Sequence, residues 1–309
     1  MADNNFSVSE MIAQNNAKKK GTSDKIVPVI LGTIAVISIL TTVGILVTLL
    51  TETITFFTRV PITEFLFTMD WNPFSSTPKY GIWALILGTL KITVIATIVA
   101  VPIGLGAAIY LSEYASQRAR AIIKQILEIL SGIPTIVFGF FALTFVTPLL
   151  RDIFPSLGSF NSISPGIVVG IMIIPLISSM SEDAMSSVPN KMREGALGLG
   201  ATKFEVATKV VLPAATSGIM ASIVLAISRA IGETMIVSLA AGSTPTASLD
   251  LTGSIQTMTG FIVQVATGDA TFGSDIYYSI YAVGFTLFLF TLAMNLISQW
   301  ITKRFREEY

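Results

Sequence analysis

The chain has 309 residues, of which 52% are hydrophobic and only 12% charged, and its mean hydropathy is +0.75. Soluble domains carry about 25% charged residues, so a soluble fold is excluded. In lipid every backbone polar group must be satisfied inside a helix or a closed barrel, and windows of about 20 uncharged residues point to a polytopic α-helical membrane protein. Net charge is zero, which gives no electrostatic signature of a nucleic-acid partner. With no cysteine and no histidine, disulfides, thiolate nucleophiles and the commonest general base and metal ligand are all missing. Hydrolytic or redox chemistry within this chain is therefore not expected.

Residues 1–25 are polar and include Lys18, Lys19 and Lys20. The apolar run 26–50 that follows is 25 residues long, against about 7–15 for a signal-peptide core, so it reads as a retained spanning helix. The segment 51–80 holds Trp71, Asn72 and Pro73; its aromatics either meet a partner or sit at headgroup level. A second span is predicted over 81–111, with Lys91 at its edge and snorkelling. A third covers 129–150, with Gly132-Ile133-Pro134 bending its start, and a fourth covers 165–180, with Pro175 inside it. Gly166 and Gly170 offer a close-packing face on this fourth helix. The fourth span is short and should continue as helix into a polar insert, 181–213. The fifth and sixth spans are 210–242 and 276–300, separated by a segment with a weakly amphipathic stretch near 260–266 that reads as a short surface helix.

Lysine and arginine orient the membrane topology. Fourteen lie in the N-terminal tail, the second loop, the 181–213 insert and the C-terminal tail 303–309, against three (Arg59, Lys79 and Arg151) on the opposite side. Both termini and the insert are therefore expected in the cytoplasm. One membrane domain is the economical description: a core over 81–302, preceded by the span 26–50 and the tail 1–25.

The insert reads as helix, turn, helix. Residues 192–199 can form a short helix, Gly200 permits the turn that ends it, and 201–211 resumes as helix before Pro213. From these residues alone a solvated helical hairpin with ordinary caps remains an equal reading. Arg229 and Glu233 are four apart, which on one helix places them on one face. Each costs about 2.5–3.5 kcal/mol at mid-bilayer, so they are expected to face a bundle interior or a water-filled path. They would form either a self-neutralising pair or an anion station, Arg229, oriented by Glu233. No G-x-x-x-x-G-K-[ST] occurs, since Gly198-Leu199-Gly200-Ala201-Thr202-Lys203 is only superficially glycine-rich. No ATP or other cofactor is expected to bind this chain.

Glu194-Gly195-Ala196, Gly200 and Val210-Val211-Leu212-Pro213 have a spacing that resembles the EAA loop of permease subunits of ATP-binding-cassette importers. Gly195 stands where that loop commonly has alanine and Val210 where it has isoleucine, both mild departures. Trp71-Asn72-Pro73, Gly88-Thr89-Leu90, the AAIYLSE run at 107–113, LEILSGIPTIVFGFF at 127–141 and RAIGETM at 229–235 extend the resemblance to the phosphate-transport permeases of the PstC type. The similarity covers about 60–302. The resemblance implies a type I importer permease fold of five core helices plus the first span, in the bacterial cytoplasmic membrane. It implies a heterodimer with a PstA-like permease, two PstB-like ATPases that consume ATP and dock on Glu194, Gly195, Ala196, Gly200, Leu212 and Pro213, and a PstS-like binding protein that delivers inorganic phosphate. Sulfate or molybdate as the anion stays open, because an arginine reads charge more than identity. So does an ion-coupled carrier in which Glu233 moves a proton. A membrane scaffold is disfavoured, since it has no need of Arg229.

Overall fold

The computed structural model describes residues 22–268 and 270–304. The tail 1–25 therefore lies outside them up to residue 21, with Lys18, Lys19 and Lys20, as does the C-terminal tail from residue 305, with Arg306. The chain divides into two units, Met1–Thr51 and Glu52–Tyr309. The boundary falls inside α1 (Thr22–Arg59), a helix longer than the apolar run that suggested it. In the first unit none of the described side chains of 26–51 is buried, although Ile, Val and Leu dominate it. An apolar helix with no buried face suits acyl chains and not water.

In the second unit, α1 ends with Phe56 fully buried. Then come α2 (Ile62–Phe67) and a two-stranded antiparallel hairpin, β1 (Trp71–Asn72) and β2 (Lys79–Tyr80), which pairs Trp71 with Tyr80. The remaining helices are α3 (Trp83–Tyr114), α4 (Gln117–Gly132), α5 (Thr135–Ile153), α6 (Ile163–Ser186), α7 (Asn190–Gly198), α8 (Lys203–Ala214), α9 (Thr216–Ile231), α10 (Met235–Ala240), α11 (Met258–Thr267) and α12 (Asp275–Arg304). Among the described residues, α1, α3, α5, α6 and α12 are each long and apolar enough to cross a membrane. Helices α8 and α9 make a sixth span only if they are taken as one, bent by 72°.

Helices α3 and α6 form the spine of the core. A Cβ on Gly166 would lie 2.7 Å from the Ile95 Cβ, one on Gly170 2.9 Å from the Val99 Cβ, and one on Gly104 2.9 Å from the Ile177 Cβ. The expected small-residue face is thus where the two backbones approach, as membrane helices do when lipid gives no hydrophobic drive to associate. Gly170→Leu should cost about 1–3 kcal/mol by overpacking, read as a lower Tm in detergent. Gly106→Leu, on the same helix pair but with nothing within 4 Å of the added Cβ, should leave Tm unchanged.

Several boundaries differ from expectation, each for a local reason. The third span begins at Thr135, because Ile133 is extended (ψ 128°), as a residue before proline is forced to be. The stretch 117–132 is instead a separate amphipathic helix, α4, with no buried residue. The fifth span is not continuous over 210–242: it breaks at Ala215 (φ −91°, ψ 2°) and again at Gly232–Thr234. Trp71 neither lines the headgroups nor presents itself to a partner; it is 2% exposed and packs edge-on against Phe65, Tyr80 and Phe261. Helix α11 exists near 260–266 as expected, but it is docked into that aromatic core through Met258, Phe261 and Val265 and does not lie on the surface. Lys91 does not snorkel: it is 8% exposed, and its Nζ donates to the Asp250 backbone carbonyl at 2.8 Å. The Asp250 carboxyl is held below its usual range, first by the hydrogen bond from the Thr252 N–H.

Candidate functional site

The break in the fifth span separates the two intramembrane charges that the sequence placed on one face. Helix α9 ends at Ile231, and Gly232 closes it. The Glu233 carboxylate, 8% exposed, accepts from the backbone N–H groups of Met235 (3.1 Å) and Ile236 (3.3 Å). It thus satisfies orphan donors at the start of α10, where a negative charge is favoured by the helix dipole. The Thr259 hydroxyl donates to the Glu233 carbonyl at 2.7 Å, joining this break to α11. Glu233 is therefore a helix cap.

Arg229 points elsewhere. Its side chain is exposed and, among the described residues, forms no ion pair or hydrogen bond. It lines a cavity of about 270 Å³ together with Lys124, Leu127, Glu128 and Ser131 of α4, Leu111 of α3, and Pro175, Leu176, Ser179 and Met180 of α6. The α4 residues are spaced three, one and three apart, so a single face of that helix forms one wall. Pro175 falls at the middle of α6, which places the cavity at mid-bundle depth, reaching toward the end that carries the 181–213 insert. An unpaired guanidinium at that depth in hydrocarbon is costly, whereas facing a cavity it can meet water or an anion. Lys124, Ser131 and Ser179 add a cation and two hydroxyls to the lining, and Glu128 adds a carboxylate. A mixed lining of this kind can bind an oxyanion and still release it.

The insert forms the hairpin that the sequence indicated. Helix α7 spans Asn190–Gly198, and Gly200 takes φ +88°, a conformation open to glycine and costly for residues with a Cβ. Thr202 and Glu205 then form a reciprocal capping box that starts α8. Glu194, Gly195 and Gly200 are exposed and Ala196 is half-buried, while Leu197, Leu199 and Phe204 present apolar side chains beside them. Neither Gly195 nor Gly200 has an atom within 4 Å of where a Cβ would be. Leu212 is half-buried and Pro213 exposed at the foot of the hairpin, where the chain turns into α9. The coupling residues indicated by the sequence therefore lie on one hairpin, which bares an apolar surface beside an acidic side chain. An exposed patch of this kind is suited to docking a partner.

Two charge clusters at this end were not foreseen. Glu182, fully buried in the last turns of α6, is ion-paired with both Arg120 and Lys124 of α4, and Lys124 also reaches Asp183 at 3.5 Å. Arg193 of α7 pairs with Glu113 at 3.0 Å, with side chains 16% and 8% exposed. The sequence shows Arg120 and Lys124 four apart, facing the same way on a helix, and shows Glu182 on the continuation of the fourth span. Which cation meets which anion depends on the docking of α4 and α7 against α3 and α6.

Comparison with known proteins agrees with this architecture. Among solved structures, a bacterial alginate ABC transporter in complex with its alginate-bound periplasmic protein superposes with TM-score 0.61 at 16% identity, covering 93% of this chain and 98% of that one. The inward-facing MetNI methionine ABC transporter gives 0.54 at 17%, covering 74% and 95%. At these identities the likeness is one of fold. In sequence, a probable ABC transporter permease protein, YqgH of Bacillus subtilis, is 35% identical over 245 residues, 78% of each chain. The phosphate transport system permease protein PstC of Mesorhizobium japonicum is 33% identical over 261 residues, again 78% of each. A probable PstC of Methanocaldococcus jannaschii is 30% identical over 280 residues, 82% of this chain and 87% of that one. The pattern for binding-protein-dependent transport system inner membrane components matches residues 100–307, from the middle of α3 through the cavity and the hairpin to α12. The chain belongs to that family: it is a multi-pass inner-membrane permease component of an ABC importer.

Proposed function

We propose that this chain forms, with a PstA-like second permease, the path by which inorganic phosphate enters the cell. The observation that carries the reading is Arg229, a cation without a protein partner among the described residues, set in a mid-bundle cavity that also holds Lys124, Ser131 and Ser179, with Glu128 as its acidic group. Relatives 30–35% identical over most of the chain, several of them PstC proteins, support phosphate as that anion. The hairpin with Glu194, Gly195, Ala196 and Gly200 is the docking element for two PstB-like ATPases. The face carrying the β1–β2 hairpin receives phosphate from a PstS-like binding protein. This orientation puts both termini and α7 in the cytoplasm, in accord with fourteen basic residues against three. ATP is bound and hydrolysed by the partners; this chain binds no cofactor and makes no bond on the solute. Glu233, committed to capping α10, is a poor proton carrier, which disfavours an ion-coupled carrier.

The test is uptake by the co-expressed complex in sealed vesicles supplied with ATP and labelled phosphate. Uptake should require ATP and the binding protein, and it should be displaced by unlabelled phosphate at concentrations where sulfate and molybdate leave it unchanged. Displacement by either of those anions as readily as by phosphate would assign the chain to another oxyanion. Uptake that survives ATP depletion and collapses with the proton gradient would reject the importer.

A further inference from the structure

Arg193 precedes the glutamate of the EAA-like stretch, and its surroundings differ from those of every other cation among the described residues. A guanidinium has five N–H donors in a fixed plane, and here each has an acceptor. Nε donates to Glu113 at 3.3 Å, and Nη2 donates to Glu113 Oε1 at 3.0 Å and to the Met185 carbonyl at 2.7 Å. Nη1 donates to the Val188 carbonyl at 2.5 Å and to Asn190 Oδ1 at 3.3 Å. Ser112 holds the same Glu113 oxygen from the other side at 2.8 Å. The acceptors come from separate segments: Glu113 from the π-helical turn Tyr110–Tyr114 that ends α3, Met185 from the last turn of α6, Val188 from the link between α6 and α7, and Asn190 from the first residue of α7 itself. With Arg193 16% and Glu113 8% exposed, these bonds lie where water competes poorly and charge-assisted hydrogen bonds are strong.

The two helices tied to this node also wall the anion cavity. Leu111, two residues before Glu113, and Met180, five before Met185, both line it. Helices α3 and α6 are in turn locked to each other by glycine contacts. We infer that Arg193 is the positioning residue that transmits displacement of α7 to the ends of α3 and α6, and so to the walls of the Arg229 cavity. The hairpin surface supplies the docking, and Arg193 makes the hairpin and the membrane helices move as one body. A lysine keeps the charge but has three donors around a single nitrogen and cannot bridge three segments in one plane. Charge alone is therefore insufficient at this position.

The inference rests on the importer reading above, and the experiment separates the two. The complete complex, co-expressed with its ATPases and second permease, is placed in vesicles with phosphate-loaded binding protein, and ATP hydrolysis and phosphate uptake are measured together. Arg193→Lys and Glu113→Gln complexes should purify with ATPase bound and hydrolyse ATP, yet move at least fivefold less phosphate per ATP, with the apparent KM for loaded binding protein unchanged. Glu194→Arg, on the docking surface, should instead lose the ATPase. If Glu194→Arg keeps its ATPase and transports normally, the docking role of that surface fails; if the unsubstituted complex takes up no phosphate with ATP, the importer reading fails. If Glu194→Arg behaves as expected but Arg193→Lys moves phosphate at the unsubstituted ratio, the Arg193 inference alone is overturned. Loss of the ATPase from Arg193→Lys would also overturn it, by showing that the residue docks and does not transmit.

Discussion

Alanine in place of Arg229 should cut ATP-driven phosphate uptake by about 10- to 140-fold while leaving the protein at least as stable as before. The size follows from the loss of charge-assisted hydrogen bonds to an anion, worth about 1.5–3 kcal/mol, at tenfold for each 1.4 kcal/mol. The stability half follows from the absence of any ion pair or hydrogen bond to Arg229 among the described residues. Removing an unpaired cation from bundle depth relieves a cost and leaves no orphaned partner. Arg229→Lys should retain part of the uptake, since a point charge still attracts phosphate but lacks the bidentate fork. The measurements are the initial rate of labelled phosphate entry per unit of assembled complex, and Tm in detergent. Normal uptake by Arg229→Ala would remove the anion station from the proposal. A large fall in Tm alongside lost uptake would show that the side chain holds the fold together.

How far the sequence reached can be judged residue by residue. The membrane class, the hairpin with its turn at Gly200, the Gly166–Gly170 packing face and the helix near 260–266 all follow from composition and from local φ or size requirements that a short window carries. The third and fifth spans depart from the sequence expectation because hydropathy has no direction. It cannot distinguish a helix that continues from one that stops and restarts within a greasy stretch, as at Ala215 and at Gly232–Thr234. For the same reason Arg229 and Glu233 read as neighbours: i and i+4 share a face only while the helix is unbroken. The signal was present in Gly232, which ends α9, and in an acidic residue two before Met235, where a cap for α10 belongs. Lys91, the docking of Trp71 on Phe261 and the Arg193–Glu113 node were not legible because the partners are 159, 190 and 80 residues away in the chain. Those pairings are properties of the tertiary packing. The candidate anion site was legible only in its central residue: Arg229 stands out as a charge in a span, whereas Lys124, Ser131 and Ser179 are ordinary polar residues until α4 folds back along α6.

That folding back depends on Glu182, and its removal should be the most destabilising single change at this end of the bundle. Glu182 is fully buried, and its carboxylate is the shared counter-charge of Arg120 and Lys124, which are themselves 37% and 33% exposed on the side chain. Breaking a buried pair costs about 3–5 kcal/mol because the surviving charge is left uncompensated. Here water reaches both surviving cations, so Glu182→Ala should fall near the lower end of that range. The consequence extends beyond stability, since the pair pins the helix whose one face is a wall of the Arg229 cavity. Released from α6, α4 should swing about the extended Ile133-Pro134 joint and open that wall. Because the chain has no cysteine, a single cysteine at Ser131 reports this directly. Its labelling by a water-soluble maleimide should be several-fold faster in the Glu182→Ala background than in its absence. Unchanged Tm and unchanged labelling would show that α4 is held by other contacts. Replacing all three charges together with apolar residues, as Arg120→Met, Lys124→Met and Glu182→Leu, should restore Tm, since a buried ion pair exchanged for packed apolar side chains is often neutral. It should not restore uptake, because Lys124 then no longer contributes its charge to the cavity.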